Sequence, residues 1–362
     1  MLLYRIGWAK MPVFRYDKRL FSPSTTIAII IPARNEGSAI SDCLSHILAQ
    51  QYPAGLMEII VVDDHSEDDT VAKAQALGER IQVLKLEDAP APKSQSKAYK
   101  KQALTAGILA SKAELIITTD ADCQAPEYWI ASIVALYERT RPRMIVGPVA
   151  FHHSITLSGI FQSIDFTCMQ GITAAARQLK LGNMANGANL AFSRQAFDQV
   201  NGYQDIDHLA SGDDFLLLHK MQQQFRGQIS YLKSSEAIVR TAAQPDWSSF
   251  LQQRIRWASK SGKYNDHRLT AILILVYLFN LSLLLGILFA FWIPGIRTLI
   301  TSLLVLKIGV ELIFLIPVSG FYSTSQDLWY FPFLQILHIC YIVMAGFLGM
   351  KGTYRWKGRK VR

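Results

Sequence analysis

A chain of 362 residues, half of them hydrophobic and with a net charge of +9, is long enough for one large or two smaller domains with a real core. The average hides two unlike parts, because from Leu269 to Met350 the only charged side chains are Arg297, Lys307, Glu311 and Asp327; that stretch is membrane material, and the soluble class fits only what precedes it. Positive charge gathers on its flanks, at Arg254, Arg256, Lys260, Lys263 and Arg268 before it and at Lys351, Arg355, Lys357, Arg359, Lys360 and Arg362 after it, which points to anionic lipid; no interleaving of aromatic and basic residues supports nucleic acid as a partner.

Residues 1–24 contain no signal-peptide core before Pro12. They mix Trp8, Phe14, Tyr16 and Phe21 with Arg5, Lys10, Arg15, Lys18 and Arg19, which predicts a segment lying at a membrane surface, with a solvated leader as the alternative. The run Ile27–Ile31 closed by Pro32 predicts a buried strand. Ile40, Leu44, Ile47 and Leu48 recur at helical spacing in a helix from Ser38 to Gln51, with Ser38 as its cap. Glu58–Val62 is a second strand and ends in Asp63-Asp64-His65-Ser66. A helix (68–77), a strand (81–86) and a basic helix (96–111) follow, then the apolar run Leu115-Ile116-Ile117 that delivers Thr118-Thr119-Asp120-Ala121-Asp122.

Strands alternating with helices predict a parallel sheet covered on both faces, and in such sheets ligands bind beyond the carboxyl ends of the strands. Pro32-Ala33-Arg34-Asn35-Glu36, Asp63-Asp64 and Asp120-x-Asp122 all fall at such ends, so one crevice collects them. In extended backbone Asp120 and Asp122 face the same side, an oxygen pair suited to Mg²⁺ held together with substrate phosphates. An ordinary acidic turn is the alternative.

Further on, 144–149 reads as a strand, 158–177 as a helix, and Asn186–Phe192 as a glycine-containing strand or turn where backbone can approach a ligand closely. Ser211-Gly212-Asp213-Asp214 opens a helix from 215 to 224, where acids also serve as caps. On a helix over 245–260, Gln253, Arg256 and Trp257 share one face. Arginine there suits phosphate and tryptophan suits a stacked sugar, whereas an interfacial helix needs the same residue types at lipid headgroups. Leu269–Trp292, roughly 298–318 and Leu328–Met350 are each long enough to span about 30 Å of hydrocarbon. Lys307 and Glu311, four residues apart, are expected to neutralise each other in the middle one. The four cysteines, Cys43, Cys123, Cys168 and Cys340, form no C-x-x-C and predict neither a zinc site nor a disulfide framework.

Taken in order, from about Thr26 to Trp257, these motifs resemble the family 2 glycosyltransferases of GT-A fold. The last two, with apolar spans behind them, resemble the membrane-embedded branch that includes cellulose, chitin and hyaluronan synthases and ceramide glucosyltransferases. The resemblance implies an α/β, GT-A (Rossmann-like) nucleotide-sugar-binding domain over 25–262, after a membrane-proximal segment at 1–24. Transmembrane helices within 268–350 and a basic tail at 351–362 would follow.

It further implies that Asp63 and Asp64 hold the uridine end of a UDP-sugar, with Pro32, Ala33, Asn35 and Glu36 close by, and that Lys101 or its neighbour Lys100 faces the nucleotide. Asp120 would lie near the ribose and donor sugar. Asp122, with Asp120, would bind Mg²⁺ or Mn²⁺ bridging the diphosphate. Asp214 would be the general base with Asp213 its neighbour, and Gln253, Arg256 and Trp257 would close over the diphosphate and the acceptor. The implied reaction is inverting transfer to a lipid or glycan hydroxyl, by a catalytic part on the cytoplasmic side of a bacterial inner membrane. Asp213 stands where many synthases have Glu. The few spans offer little from which to build a translocation channel, so single transfer is expected ahead of processive polysaccharide synthesis. A nucleotide-sugar-binding membrane protein without turnover is the reading from another class. Three crossings would carry the basic tail outside, against the positive-inside rule, so one segment is expected to be interfacial or re-entrant.

Overall fold

The computed structural model describes residues 1–88, 98–182, 184–207, 209, 212–259, 267–350, 354–356 and 359–361. Ser211, His208, the expected helix start at 96–97, Lys260, Lys263 and, in the tail, Lys351, Lys357 and Arg362 lie outside the described residues. In chain order the elements are α1 (Leu2–Lys10), β1 (Ile27–Ala33), α2 (Ile40–Leu48), β2 (Met57–Asp63), α3 (Thr70–Ala76), β3 (Ile81–Lys85), α4 (Tyr99–Ala110), β4 (Leu115–Thr118), α5 (Trp129–Thr140), β5 (Met144–Val146) and β6 (Val149–Phe151). They continue with α6 (Leu157–Leu179), β7 (Leu190–Ser193), α7 (Arg194–Gln199), α8 (Asp213–Gln224), β8 (Ile229–Tyr231), β9 (Val239–Thr241), α9 (Trp247–Ala258), α10 (His267–Ala290), α11 (Arg297–Tyr322), α12 (Gln335–Gly349), β10 (Tyr354–Trp356) and β11 (Arg359–Val361).

The chain divides into two compact units that do not follow chain order: Pro12–Ala150 with Asn183–Ala242, and Met1–Met11 with Phe151–Gly182 and Ala243–Arg362. The first is built on a seven-stranded sheet in the order β3-β2-β1-β4-β7-β5-β8. β1 lies parallel to both β2 and β4, and β7 runs antiparallel to both β4 and β5. The strand order reverses between β1 and β4, the place where open α/β sheets leave a crevice at their carboxyl ends. Ile27 to Ile31 and Leu115 to Ile117 are fully buried, as continuous apolar runs must be when both faces of a parallel sheet are covered.

Three local expectations need correction. α2 begins at Ile40 behind Ala39, and no side chain caps it, so Ser38 does not perform that role. The strand expected over 144–149 is two strands, β5 ending at Val146 and β6 pairing with β9 in a separate two-stranded sheet; between them Gly147 packs so closely that a Cβ there would lie 2.3 Å from the Asn189 side chain. The third expected span is a turn at Ser325–Tyr330 followed by the 15-residue α12. At 1.5 Å per residue α12 is about 22 Å long, short of the ~30 Å hydrocarbon thickness, and Pro332, which has no N–H to give a helix, stands in the interruption. Among the described residues two helices are long and apolar enough to cross a membrane, Thr270–Ala290 and Pro294–Tyr322.

The second unit gathers α1, α6, α9 and the apolar helices. α1 packs on α6 and α11, with Trp8 buried edge-to-face against Phe321, ring centroids 5.4 Å apart. Leu2, Leu3 and Ile6 stay exposed on the same helix. Phe161, Ile164, Phe250, Leu315, Phe331 and Leu334 form the core that joins α6, α9 and α11.

Candidate active site

Two loops at the ends of β1 and β2 are latched together. Arg34 Nη1 donates to the Asp64 carbonyl at 2.7 Å, the Asn35 amide to Ser66 Oγ at 3.0 Å, the Glu36 amide to Thr70 Oγ1 at 2.8 Å, and the Glu67 amide to Asn35 Oδ1 at 2.9 Å. The turns are tight enough to put Asn35 and His65 in the left-handed region, at φ 52° and 57°, an uncommon conformation for non-glycine residues and one enriched in Asn and His. Asp63 accepts the Ser66 amide, and Asp64 lies 3.0 Å from His65 Nδ1. Both acids are buried. The predicted donor-binding segments Pro32, Ala33, Asn35, Glu36 and Asp63, Asp64 therefore form one connected wall.

The pair Asp120 and Asp122 does not behave as an extended strand. β4 ends at Thr118, and in the turn that follows the two carboxylates go to different partners. Asp120 meets Lys100 Nζ at 2.6 Å. Asp122 accepts the Thr241 hydroxyl at 3.3 Å, brought there because the Gln124 and Arg240 backbones exchange hydrogen bonds at 2.7 and 2.9 Å. Although Asp122 is an exposed residue, desolvation by the protein around its carboxyl, and then the charge of Asp120, push its pKa up. Thr241 was invisible in sequence, since a threonine on a short strand carries no signal.

Of the two candidate lysines, Lys100 joins this cluster and Lys101 does not. Lys101 Nζ is buried and donates to the carbonyls of Ile206 and Leu209, at 2.7 and 2.6 Å. Consecutive helical residues diverge by about 100°, so if one faces the carboxylates its neighbour turns away. Lys100 Nζ lies 3.5 Å from Asp213 as well as 2.6 Å from Asp120. Burial opposes its charge, but Asp120, Asp213 and Asp214 together outweigh that and hold the ammonium well above its ordinary pKa.

Asp213 and Asp214 occupy the first turn of α8, whose N-cap is Gly212 at φ 83°, a conformation glycine adopts without strain. The positive end of the helix dipole favours acids there. Asp214 Oδ2 accepts the Gly187 amide at 3.2 Å and Oδ1 the Phe215 amide at 2.7 Å. Gly187 in turn faces Lys100 and Asp213. Its 3₁₀ turn, Gly187–Asn189, hangs from the end of β4, where the Thr118 and Thr119 hydroxyls donate to the Gly187 and Ala188 carbonyls at 3.1 and 2.9 Å. Beneath the turn Asn189, fully buried, accepts Trp129 Nε1 at 2.9 Å and donates to the Pro148 and Ala237 carbonyls, both at 2.8 Å.

Cys43 and Cys123 lie under the same loop, with Cys43 Sγ 3.6 Å from the Asp120 carbonyl. Burial pushes the Cys43 thiol up to about 12 and raises Cys123 as well, so neither supplies a thiolate at neutral pH. Gln253, Arg256 and Trp257 are half-buried on α9, in the other unit.

The acids at 120 and 122 differ in what they could offer a divalent cation. Among the described residues no three His, Cys, Asp or Glu side chains are grouped as a metal cage, and Lys100 already neutralises Asp120. Asp122 is thus a carboxylate whose charge is poorly compensated, which suits an ion that takes one or two protein oxygens and completes its shell from phosphate and water.

Comparison with known proteins gives a consistent result. The model for glycosyl transferase family 2 matches residues 28–200, and that for glycosyl transferase family group 2 matches residues 115–348. The chain is similar to glycosyltransferase AglE of Haloferax volcanii, 27% identical over 52% of this chain and 58% of the relative. It is also similar to poly-beta-1,6-N-acetyl-D-glucosamine synthase of Staphylococcus epidermidis, 25% identical over 64% of this chain and 53% of the relative. The chain thus spans little more than half the length of these relatives. A mannosyltransferase from Pyrobaculum calidifontis, solved with GDP-Man and Mn²⁺, superposes with a TM-score of 0.56 over 96% of this chain and 94% of its own, at 16% identity, and shares the fold.

Proposed function

The chain belongs to the family 2 glycosyltransferases, and from that premise we propose that it is a membrane-bound inverting hexosyltransferase that passes a sugar from a UDP-sugar to a hydroxyl of a lipid or glycan acceptor. The observation that carries this reading is the charge cluster around Lys100: Asp120 at 2.6 Å and Asp213 at 3.5 Å, with Asp214 beside them on the Gly187 amide. All four side chains stand at the carboxyl end of the sheet, where the reversal of strand order leaves a crevice.

In this proposal Asp63, Asp64 and the loop Pro32–Glu36 bind the nucleoside, and Lys100 faces the diphosphate. Asp214 takes the proton of the acceptor hydroxyl as its oxygen bonds to the anomeric carbon, while the bond from that carbon to the diphosphate oxygen breaks. One displacement without a covalent sugar–enzyme intermediate inverts the centre. Asp122, with Asp120, would hold Mg²⁺ or Mn²⁺, which supplies charge neutralisation for the leaving diphosphate. By resemblance, Gln253, Arg256 and Trp257 serve the diphosphate and the acceptor, and the catalytic unit lies in the cytoplasm, where α10 and α11 tether it to the inner membrane.

The test is to incubate membranes containing the full chain with radiolabelled UDP-glucose, UDP-galactose, UDP-N-acetylglucosamine or GDP-mannose plus Mn²⁺ or Mg²⁺. Wild type should place label in an organic-soluble product with one UDP-sugar, and Asp122→Asn and Asp214→Asn should each abolish it. Label that persists in both variants would overturn the assignment of these residues.

A further inference from the structure

Arg254 stands inside the Gln253-x-x-Arg256-Trp257 motif without being one of its members. It is only 4% exposed and reaches Asp165 of α6, 5% exposed, with two nitrogens: Nε and Nη2 donate to Asp165 Oδ2 at 2.9 and 2.6 Å. The remaining Asp165 oxygen accepts the Tyr341 hydroxyl of α12 at 2.5 Å. A pair whose only task was to join α6 to α9 needs nothing more. Arg254 does more: its third nitrogen, Nη1, donates to Gln253 Oε1 at 2.8 Å, and the guanidinium lies over the Trp257 ring at 4.3 Å. One rigid cation therefore fixes the side-chain amide of Gln253 and the ring of Trp257 at the same time. Phe250 on its other contact, at 4.7 Å, leaves it little freedom to turn.

We propose that Arg254, locked by Asp165 and Tyr341, is a positioning residue for transfer: it sets the orientation of Gln253 and the ring plane of Trp257, and thereby the acceptor geometry. The inference rests on the reading of Gln253 and Trp257 given above. Lysine cannot replace it, because an ammonium is a point donor with no plane to stack and no fork to hold a carboxylate and an amide together. Misplacement of a reacting group by about 1 Å costs on the order of 100-fold in rate, so that is the scale of loss expected from R254K and D165N, expressed in kcat and in the acceptor KM.

The experiment uses the full chain in detergent, labelled with 5-fluorotryptophan, with the Trp257 ¹⁹F resonance assigned by its disappearance in W257F. In R254K and D165N that resonance should shift or broaden while the other tryptophan resonances stay, in protein that melts cooperatively. Y341F, which keeps the ion pair and removes one hydroxyl, serves where those variants do not accumulate and should shift the same resonance in the same direction by less. A Trp257 resonance that does not move, or one that moves without change in turnover, overturns the proposal. Full turnover in W257F and Q253A would instead sink the assignment of the motif to the acceptor, whatever the resonance does.

Discussion

Lys100 is placed against Asp120, Asp213 and Asp214, so its removal tests the electrostatics of the site directly. Its pKa is raised. The stability it contributes is therefore complete at neutral pH and disappears only as pH climbs above the ordinary lysine value of about 10.4 and through the folded-state value. In K100M the carboxylates lose this counter-charge. Some of them then bind protons more tightly folded than unfolded, so stability is greatest in acid and falls as pH rises. Because Lys100 and Asp120 are 25% and 34% exposed, the cost is discounted to about 1–2 kcal/mol at pH 8. Thermal unfolding of the full chain should show K100M close to wild type at pH 5 and clearly below it at pH 8; a gap that narrows with rising pH would contradict this account. Lys101→Met should instead behave as the loss of a buried donor to the Ile206 and Leu209 carbonyls.

At the scale of elements, Asn189 ties the Gly187 turn to α5, to Pro148 in the break between β5 and β6, and to Ala237 in the turn before β9. Asn189→Ala leaves Trp129 Nε1 and the carbonyls of Pro148 and Ala237 without these bonds in a fully buried place, and unsatisfied groups cost about 1–3 kcal/mol each. A loss of about 3 kcal/mol in unfolding free energy is expected, with transfer falling as well because the Gly187 amide no longer holds Asp214. A variant as stable as wild type would show that the turn is held by other means. This element also marks the limit of what sequence made legible. β1, β2 and β4 announce themselves, since a continuous apolar run is what a doubly covered strand requires, and the acids at their ends followed from that. The close packing at Gly147 involves a side chain 42 positions later, which no local pattern carries. Lys100 could not be separated from Lys101 without the phase of α4. Asp165 and Arg254 gave no signal either, because a lone acid in a helix and one more arginine near an apolar stretch read as surface charge until three helices bring them together.

For the whole molecule, the structure changes the count on which topology rests. α10 and α11 are about 36 and 39 Å long at 1.5 Å per residue, enough to cross with some tilt, whereas α12 is too short to do so in one straight pass. Two crossings return the chain to the side from which it left. With two crossings, the chain before α10 and the basic tail are expected on the same side of the membrane, as the positive-inside rule asks. Lys307 fits the same arrangement: it is buried and paired with Glu311 at 2.8 Å and Gln335 at 2.6 Å, so the longer helix carries no net charge at that level. The prediction is specific. In a background without the native cysteines, Gly295→Cys, in the short connection between α10 and α11, should react with a membrane-impermeant maleimide on intact cells, and Arg359→Cys only after permeabilisation. Labelling of both from outside would require a third crossing and restore the conflict with the charge of the tail; labelling of neither before permeabilisation would mean that α10 and α11 do not cross, and that the chain is held at one face of the bilayer.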